Sequence, residues 1–142
     1  YRRRILEINI IQDVIIEEFT SFDDWMHRYS LLIDYGNGLE SFPEKDKTQE
    51  NLIDGCQSRV WFTAQLQDGR VIYHGDSDAT LAKGIVALLI RVLSGHTPEE
   101  IINTQLYFID EIQLREHLSP TRSNGLNAML RRMIEYAVNI RE

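Results

Sequence analysis

The chain has one cysteine, Cys56, in the segment Asn51-Leu52-Ile53-Asp54-Gly55-Cys56-Gln57-Ser58-Arg59-Val60-Trp61. A lone thiol forms no internal disulfide, and zinc or iron–sulfur sites built from thiolates alone need about three or four cysteines. Packing or reactivity remains. A packing cysteine usually lies inside an apolar helix or strand. Cys56 instead follows a glycine and precedes Gln57 and Ser58, just ahead of an apolar, strand-like run. A loop that presents a thiol at a strand end has this form. Local context leaves two readings open: a reactive thiol, or a half-buried small residue.

The neighbours of Cys56 suit either reading. Gly55 permits a tight turn and the close approach of a partner. Gln57 and Ser58 could hydrogen-bond a thiolate or simply satisfy loop backbone groups. Asp76 and Asp78 are paired carboxylates, as acid–base or metal chemistry would require. The plainer reading makes Asp76 a turn residue and Asp78 a helix N-cap. The four histidines, His27, His74, His96 and His117, are scattered, without the i, i+4 spacing of a helical metal site. His74 or His117 could serve Cys56 as the base of a Cys–His hydrolase. Gly36-Asn37-Gly38 ends a helix rather than following a strand, so it is no phosphate loop. No bound cofactor and no metal are expected.

The elements that must position these residues are readable as patterns. Ile8, Ile11, Ile15 and Phe19 recur at helical spacing over 5–19. Ser21 offers an N-cap, with Asp23 and Asp24 in the first turn, for a helix striped by Trp25, Tyr29, Leu32 and Ile33. Gly36 and Gly38 stop it. Residues 39–50, charged and containing Pro43, read as a surface loop. Val60 to Leu66 and Val71 to His74 read as strands joined by an Asp68-Gly69 hairpin turn, with Leu52-Ile53 as a third short strand. Gly75 to Asp78 then closes the sheet and caps a helix over 79–93. Its inward side carries Leu81, Ile85, Leu88, Leu89 and Val92, Gly84 allows close packing on the sheet, and Gly95 ends it. Thr97-Pro98-Glu99-Glu100 starts another short helix, with proline at the first position and two acids in the first turn. A brief helix over 109–117 follows. Ser123 caps the last helix, striped by Leu126, Met129, Leu130, Met133 and Ile134. Helices, a small three-stranded antiparallel meander and more helices imply an α+β domain, with helices packed against one sheet.

Composition narrows the function. A length of 142 residues suits one domain, 1–142. The net charge of −7 argues against nucleic acid, whose phosphates call for a basic surface, and against an anionic membrane surface. The longest apolar run, Ile85 to Ile90, is too short to span a bilayer. Glu7, Asn9, Gln12 and Asp13 interrupt the first segment, so no signal peptide is expected, and a lone cysteine fits a reducing cytoplasm.

Asn51-x-Ile53-x-Gly55-Cys56-Gln57-Ser58-x-Val60-Trp61 resembles the signature of the SufE family, the sulfur-acceptor partners of cysteine desulfurases, to which the CsdE proteins also belong. Three further words resemble the family in the right order. They are Gly75-Asp76-Ser77-Asp78-Ala79 with Lys83-Gly84, then His117-Leu118-Ser119-Pro120-Thr121-Arg122-Ser123, then Asn124-Gly125-Leu126-Asn127-Ala128-Met129. Trp25 and Tyr29 match an early Trp-x-x-x-Tyr helix. The resemblance runs over about 22–133 and implies a fold shared with IscU-type scaffolds. It implies that Cys56 takes persulfide sulfur from a SufS- or CsdA-type desulfurase, stimulates that enzyme and delivers sulfur to a SufBCD-type scaffold. Pyridoxal phosphate would belong to the desulfurase, and this chain would be a carrier rather than a stand-alone enzyme. Arg122 matches the family's Ser-Arg-Ser arginine, with Thr121 where many members have serine; its guanidinium would lower the thiol pKa. Asp76 and His117 are expected near the site because they lie in matched words. Competing readings are a regulatory desulfurase-binding module without sulfur transfer, a cluster scaffold, and the thiol hydrolase.

Overall fold

Strand β1 (Val60–Gln67) and strand β2 (Arg70–Ser77) form an antiparallel hairpin at the centre of the chain. In the computed structural model, which describes residues 2–141 with side chains from Glu7 to Arg141, Val60 lies opposite Ser77 and Gln67 opposite Arg70. Asp68 and Gly69 join the strands at φ 54° and 77°. Two consecutive left-handed residues make the turn whose twist matches that of paired strands, so the register is fixed locally. Val60, Phe62, Val71 and Tyr73 bury one face. The return strand continues beyond His74 to Ser77, so Asp76 lies in the strand, opposite Trp61, rather than in a turn. The expected third strand is reduced to a single bridge between Leu52 and Trp61, and the sheet has two strands. The chain turns at Asp54-Gly55, Gly55 having φ +92°, which leaves Leu52-Ile53 no room to extend.

Among the described residues, six α-helices surround the hairpin: α1 (Arg2–Thr20), α2 (Trp25–Asn37), α3 (Thr80–Leu93), α4 (Pro98–Asn103), α5 (Phe108–Glu111) and α6 (Pro120–Arg141). In α1, Ile8, Ile15 and Phe19 are fully buried, as their spacing predicts; the side chain of Ile5, where the predicted segment begins, lies outside the described residues. Three caps differ from expectation. Asp24, not Ser21, caps α2 by accepting the His27 N–H at 3.0 Å. The Ser21 hydroxyl instead donates to Glu18 O as α1 ends. Helix α3 follows Ala79 without a side-chain cap, because the Asp78 carboxylate is engaged by the Arg59 N–H. Helix α6 begins at Pro120 rather than after Ser123, and Ser119 Oγ accepts the Arg122 N–H at 3.2 Å. Ser119-Pro120 is a cap followed by a proline whose missing N–H costs the helix nothing. The α4 capping box forms as expected between Thr97 and Glu100. The expected 109–117 helix breaks at Gln113, φ 56°, into α5 and a 3₁₀ turn. The 39–50 segment buries Phe42 and holds another 3₁₀ turn.

Helices α2 and α3 cross backbone to backbone. A Cβ on Gly36 would lie 2.9 Å from Gly84 N, and one on Gly84 would lie 2.3 Å from Leu32 O. Gly84 therefore serves helix–helix packing, not packing on the sheet. The sheet contact belongs to Val86, against Gly75. Helix α6 covers the inner face, where Tyr73 Oη donates to Met133 O at 2.6 Å and Tyr136 Oη to Phe62 O at 3.0 Å. Arg91 of α3 grips Glu18 of α1 with both guanidinium nitrogens, at 2.8 and 3.1 Å, and Tyr35 donates to the same carboxylate. Buried Gln12 links α1 to the chain before α5, donating to Gln105 O and accepting from Phe108 N–H. Such buried amides need both kinds of partner.

Candidate functional site

The Cys56 loop hangs between two anchors. Ile53 N–H donates to Val60 O at 2.8 Å on one side. On the other, the Arg59 backbone is held from both ends: its N–H donates to Asp78 Oδ1 at 3.0 Å, and its carbonyl accepts from Ser77 Oγ at 2.7 Å and from Asp78 N–H at 3.2 Å. Residues 54–58 lie between the anchors. This segment rests on α6. A Cβ on Gly55 would stand 3.4 Å from Ala128 Cβ, and the Cys56 thiol donates to Gly125 O at an Sγ···O distance of 3.6 Å.

Cys56 is half-buried beside a cavity of about 50 Å³. Gln57 and Ser58 line it from the loop, and Thr121 and Arg122 from the start of α6. Val60, Ile85 and Met129 give it an apolar wall. Burial pushes the Cys56 thiol above its ordinary pKa, because a thiolate there loses hydration. The expected lowering by Arg122 is thus not the resting state: Arg122 is an exposed residue, and desolvation is the cause that governs the thiol. At neutral pH the resting group is S–H. The arrangement can store a nucleophilic sulfur in protonated form, with space beside it and a cation at the rim.

Gln57, Ser58 and Arg122 line the cavity with Cys56, and Gly55 adjoins it in the chain, while Asp76 and His117 are not among the lining residues. Asp76 lies between Lys47 and Lys83, each 3.4 Å away. Burial would raise its carboxyl, but the Ser77 N–H bond and the two ammonium groups hold it below the usual range. His117 stacks on Trp25 with centroids 4.0 Å apart, and its Nδ1 lies 3.0 Å from Gln113 O. Asp78, read as a cap, is an anchor of the loop. Gly125 and Ala128 were missed as contacts. The available signal was a glycine inside an otherwise striped helix, which weakens the helix and marks a close approach. Larger grooves, of about 250 and 390 Å³, flank His74 and Glu40, and no cysteine lines them. Among the described residues no cluster of His, Cys, Asp and Glu is arranged to hold a metal ion, and no helix is long and apolar enough to cross a membrane.

An uncharacterized SufE-like protein of Synechocystis is 44% identical to this chain over 124 residues, covering 87% of the chain and 78% of that protein. A second, from Rhizobium meliloti, is 38% identical over 126 residues, covering 85% and 90%. The solution structure of a hypothetical protein from Thermus thermophilus superposes with a TM-score of 0.76 over 92% of this chain and 95% of that one. At 23% identity that likeness speaks for the fold alone. The family model described as "SufE: Fe-S metabolism associated domain" matches residues 13–137, and the chain belongs to the SufE family.

Proposed function

We propose that this protein is a sulfur acceptor that takes sulfur from the persulfide of a SufS- or CsdA-type cysteine desulfurase onto Cys56. The Cys56 thiolate attacks the terminal sulfur of the donor persulfide. A new S–S bond forms on Cys56, the donor's S–S bond breaks, and the donor cysteine leaves as a thiolate. The proton given up by Cys56 is matched by one taken up by that thiolate, and no external oxidant or reductant is needed. Clearing the donor cysteine stimulates the desulfurase, and the sulfur then passes to a SufBCD-type scaffold in the cytoplasm. Pyridoxal phosphate chemistry belongs to the desulfurase.

The observation that carries this reading is the sole cysteine, on a glycine-preceded loop, half-buried beside a small cavity with Arg122 at its edge. One thiol suffices for carrying; a second would resolve the persulfide to a disulfide and release sulfide. The cavity contains no histidine, so the hydrolase reading lacks its base there. Mass spectrometry after incubation with a desulfurase and cysteine tests the proposal. Wild-type protein gains roughly 32 Da, reversibly with dithiothreitol, while Cys56→Ser gains none and does not stimulate the enzyme. Full stimulation by the serine variant would favour a regulatory module instead.

A further inference from the structure

We propose that the outer edge of β1 is the contact surface for a second copy of this chain, added strand to strand across a two-fold axis at Gln65. The inference stands apart from the sulfur-acceptor reading. The register of the hairpin turns the backbone groups of Val60, Phe62, Ala64 and Leu66 away from β2, toward the outer edge of β1. At the Cys56 end that edge is occupied. Val60 O accepts from Ile53 N–H, Phe62 N–H donates to Asn51 O, and Phe62 O accepts from Tyr136 Oη. The outer edge of β2 is closed near the turn, where Val71 bonds to Gly95 and His96, and Tyr73 N–H donates to Ser94 Oγ. Among the described residues nothing bonds the outward groups of Ala64 and Leu66. Exposed edges are usually protected by charge, proline or a bulge. Val60–Gln67 has no charged residue and no proline, and its register is unbroken. Leu66, on the core-facing side of the strand, is 52% exposed.

Two free residues spaced by two fit their own image. A two-fold axis at Gln65 sets Ala64 of one strand opposite Leu66 of the other, antiparallel. Each such pair exchanges two N–H···O bonds, so the two pairs satisfy every free donor and acceptor on both edges. Leu66 then lies beside the small Ala64 of the other copy, on the inner face, and gains the cover it lacks. The pairing ends at Phe62, whose groups are already engaged. Charge favours this occupant. Two chains of net charge −7 repel at long range, but the paired stretch is neutral. The same register carries Asp68 of each copy to the Phe62 end of the other. Arg132 lies there, its guanidinium carbon 5.2 Å from the Tyr136 ring centroid. Arg132 donates to Glu50 O and pairs with no carboxylate among the described residues. An edge this short gives a dimer of the weak class, which buries under about 1,200 Å². Antiparallel pairing sends the two Val60 ends, and with them the two Cys56 loops, to opposite ends of the joined sheet, so neither thiol enters the interface.

Sedimentation velocity on the full chain tests this. The weight-average mass rises from 16.6 kDa toward twice that value as the concentration climbs from micromolar to hundreds of micromolar. Leu66→Lys removes the apolar cover and sets two ammonium groups on diagonal positions across the axis, about 7–8 Å apart at the backbone. Ala64→Pro removes a donor that the hairpin does not use. Both variants stay at 16.6 kDa. Leu66→Lys changes only an exposed side chain, so it keeps the test open if the proline variant does not fold. Cross-linking reads the axis itself. In a Cys56→Ser background, Gln65→Cys places two thiols on a non-hydrogen-bonded pair with Cα atoms about 4.5 Å apart, within disulfide range. Gln67→Cys, also exposed, places them about 14 Å apart, out of reach. With oxidised glutathione, Gln65→Cys forms a covalent dimer about tenfold faster than Gln67→Cys. A monomer at every concentration would overturn the proposal and leave the edge to an extended segment of a different protein. A dimer that survives Leu66→Lys, with equal cross-linking at 65 and 67, would overturn it too.

Discussion

Gly84→Ala places a methyl carbon 2.3 Å from Leu32 O, 2.7 Å from Leu32 C and 3.2 Å from Leu32 Cβ. Carbon contacts become favourable only at about 3.5 Å, so α2 and α3 must part by about 1 Å. A gap of that size forfeits about half of each dispersion contact across the crossing. The obstacle is helix backbone, which cannot rotate aside, so the overpacking cost is about 3 kcal/mol. Alanine returns about 1 kcal/mol through its better helix propensity. The net loss is about 2 kcal/mol, equivalent to a fall of about 6 °C in Tm for a chain of this length. Urea unfolding followed by circular dichroism measures it, and an unchanged slope would confirm that only stability moved. Gly36→Ala, whose Cβ would meet Gly84 N at 2.9 Å, is the milder partner and should rank between Gly84→Ala and wild type. The effect also reaches the site, because Ala82 and Ile85 flank Gly84 and line the cavity beside Cys56. A Gly84→Ala protein as stable as wild type would refute the backbone-contact reasoning.

Two further predictions concern α1 and α6. The Arg91 hydrogen bonds hold Glu18 below its ordinary pKa. The unfolded chain therefore binds the proton first as pH falls: the stabilisation is full above about pH 4.3 and is lost as pH drops through the lower folded value. Glu18→Gln should be less stable than wild type at pH 7 and should show a shallower acid limb in urea midpoints; identical limbs would remove Glu18 from the account. Ser119→Ala removes the α6 cap and should lower unfolding free energy by about 1 kcal/mol, whereas no loss would leave Ser119 without a capping role.

What was legible in the sequence was local. Asp68-Gly69 between two β-rich runs dictates a hairpin because few residue pairs tolerate two left-handed positions. Thr97-Pro98-Glu99-Glu100 fixes its helix start by reciprocal side-chain bonds. The Gly-Cys loop was readable because a glycine and two polar residues interrupt the approach to a strand. Misplaced caps had a different origin. Ser21, Asp23 and Asp24 all suit an N-cap, and the choice falls to whichever side chain meets a free N–H. Asp78 was claimed by Arg59 across the hairpin. Gly84 announced a close approach without naming the partner, and α2 rather than the sheet supplied it. The direction of the thiol's shift was hidden for the same reason. It depends on burial, to which α6 contributes from 69 residues downstream, of a sulfur that the local sequence shows only beside polar neighbours.

The two anchors of the Cys56 loop set a tether length. Ile53 is pinned to Val60 O, and Arg59 is pinned to Ser77 and Asp78. Cys56 is the third residue from each. A fully extended chain spans at most about 3.6 Å per residue, so the Cys56 Cα stays within about 11 Å of both anchor Cα atoms in any loop conformation. Any partner sulfur must come within one cysteine side chain and one sulfur–sulfur contact of the overlap of those two spheres, or the hydrogen bonds at Ile53 or Arg59 must break. Inserting one residue on either side of Cys56 would widen the reach on that side only, and lopsidedly. The midpoint placement gives the thiol its longest symmetric excursion for the chain available.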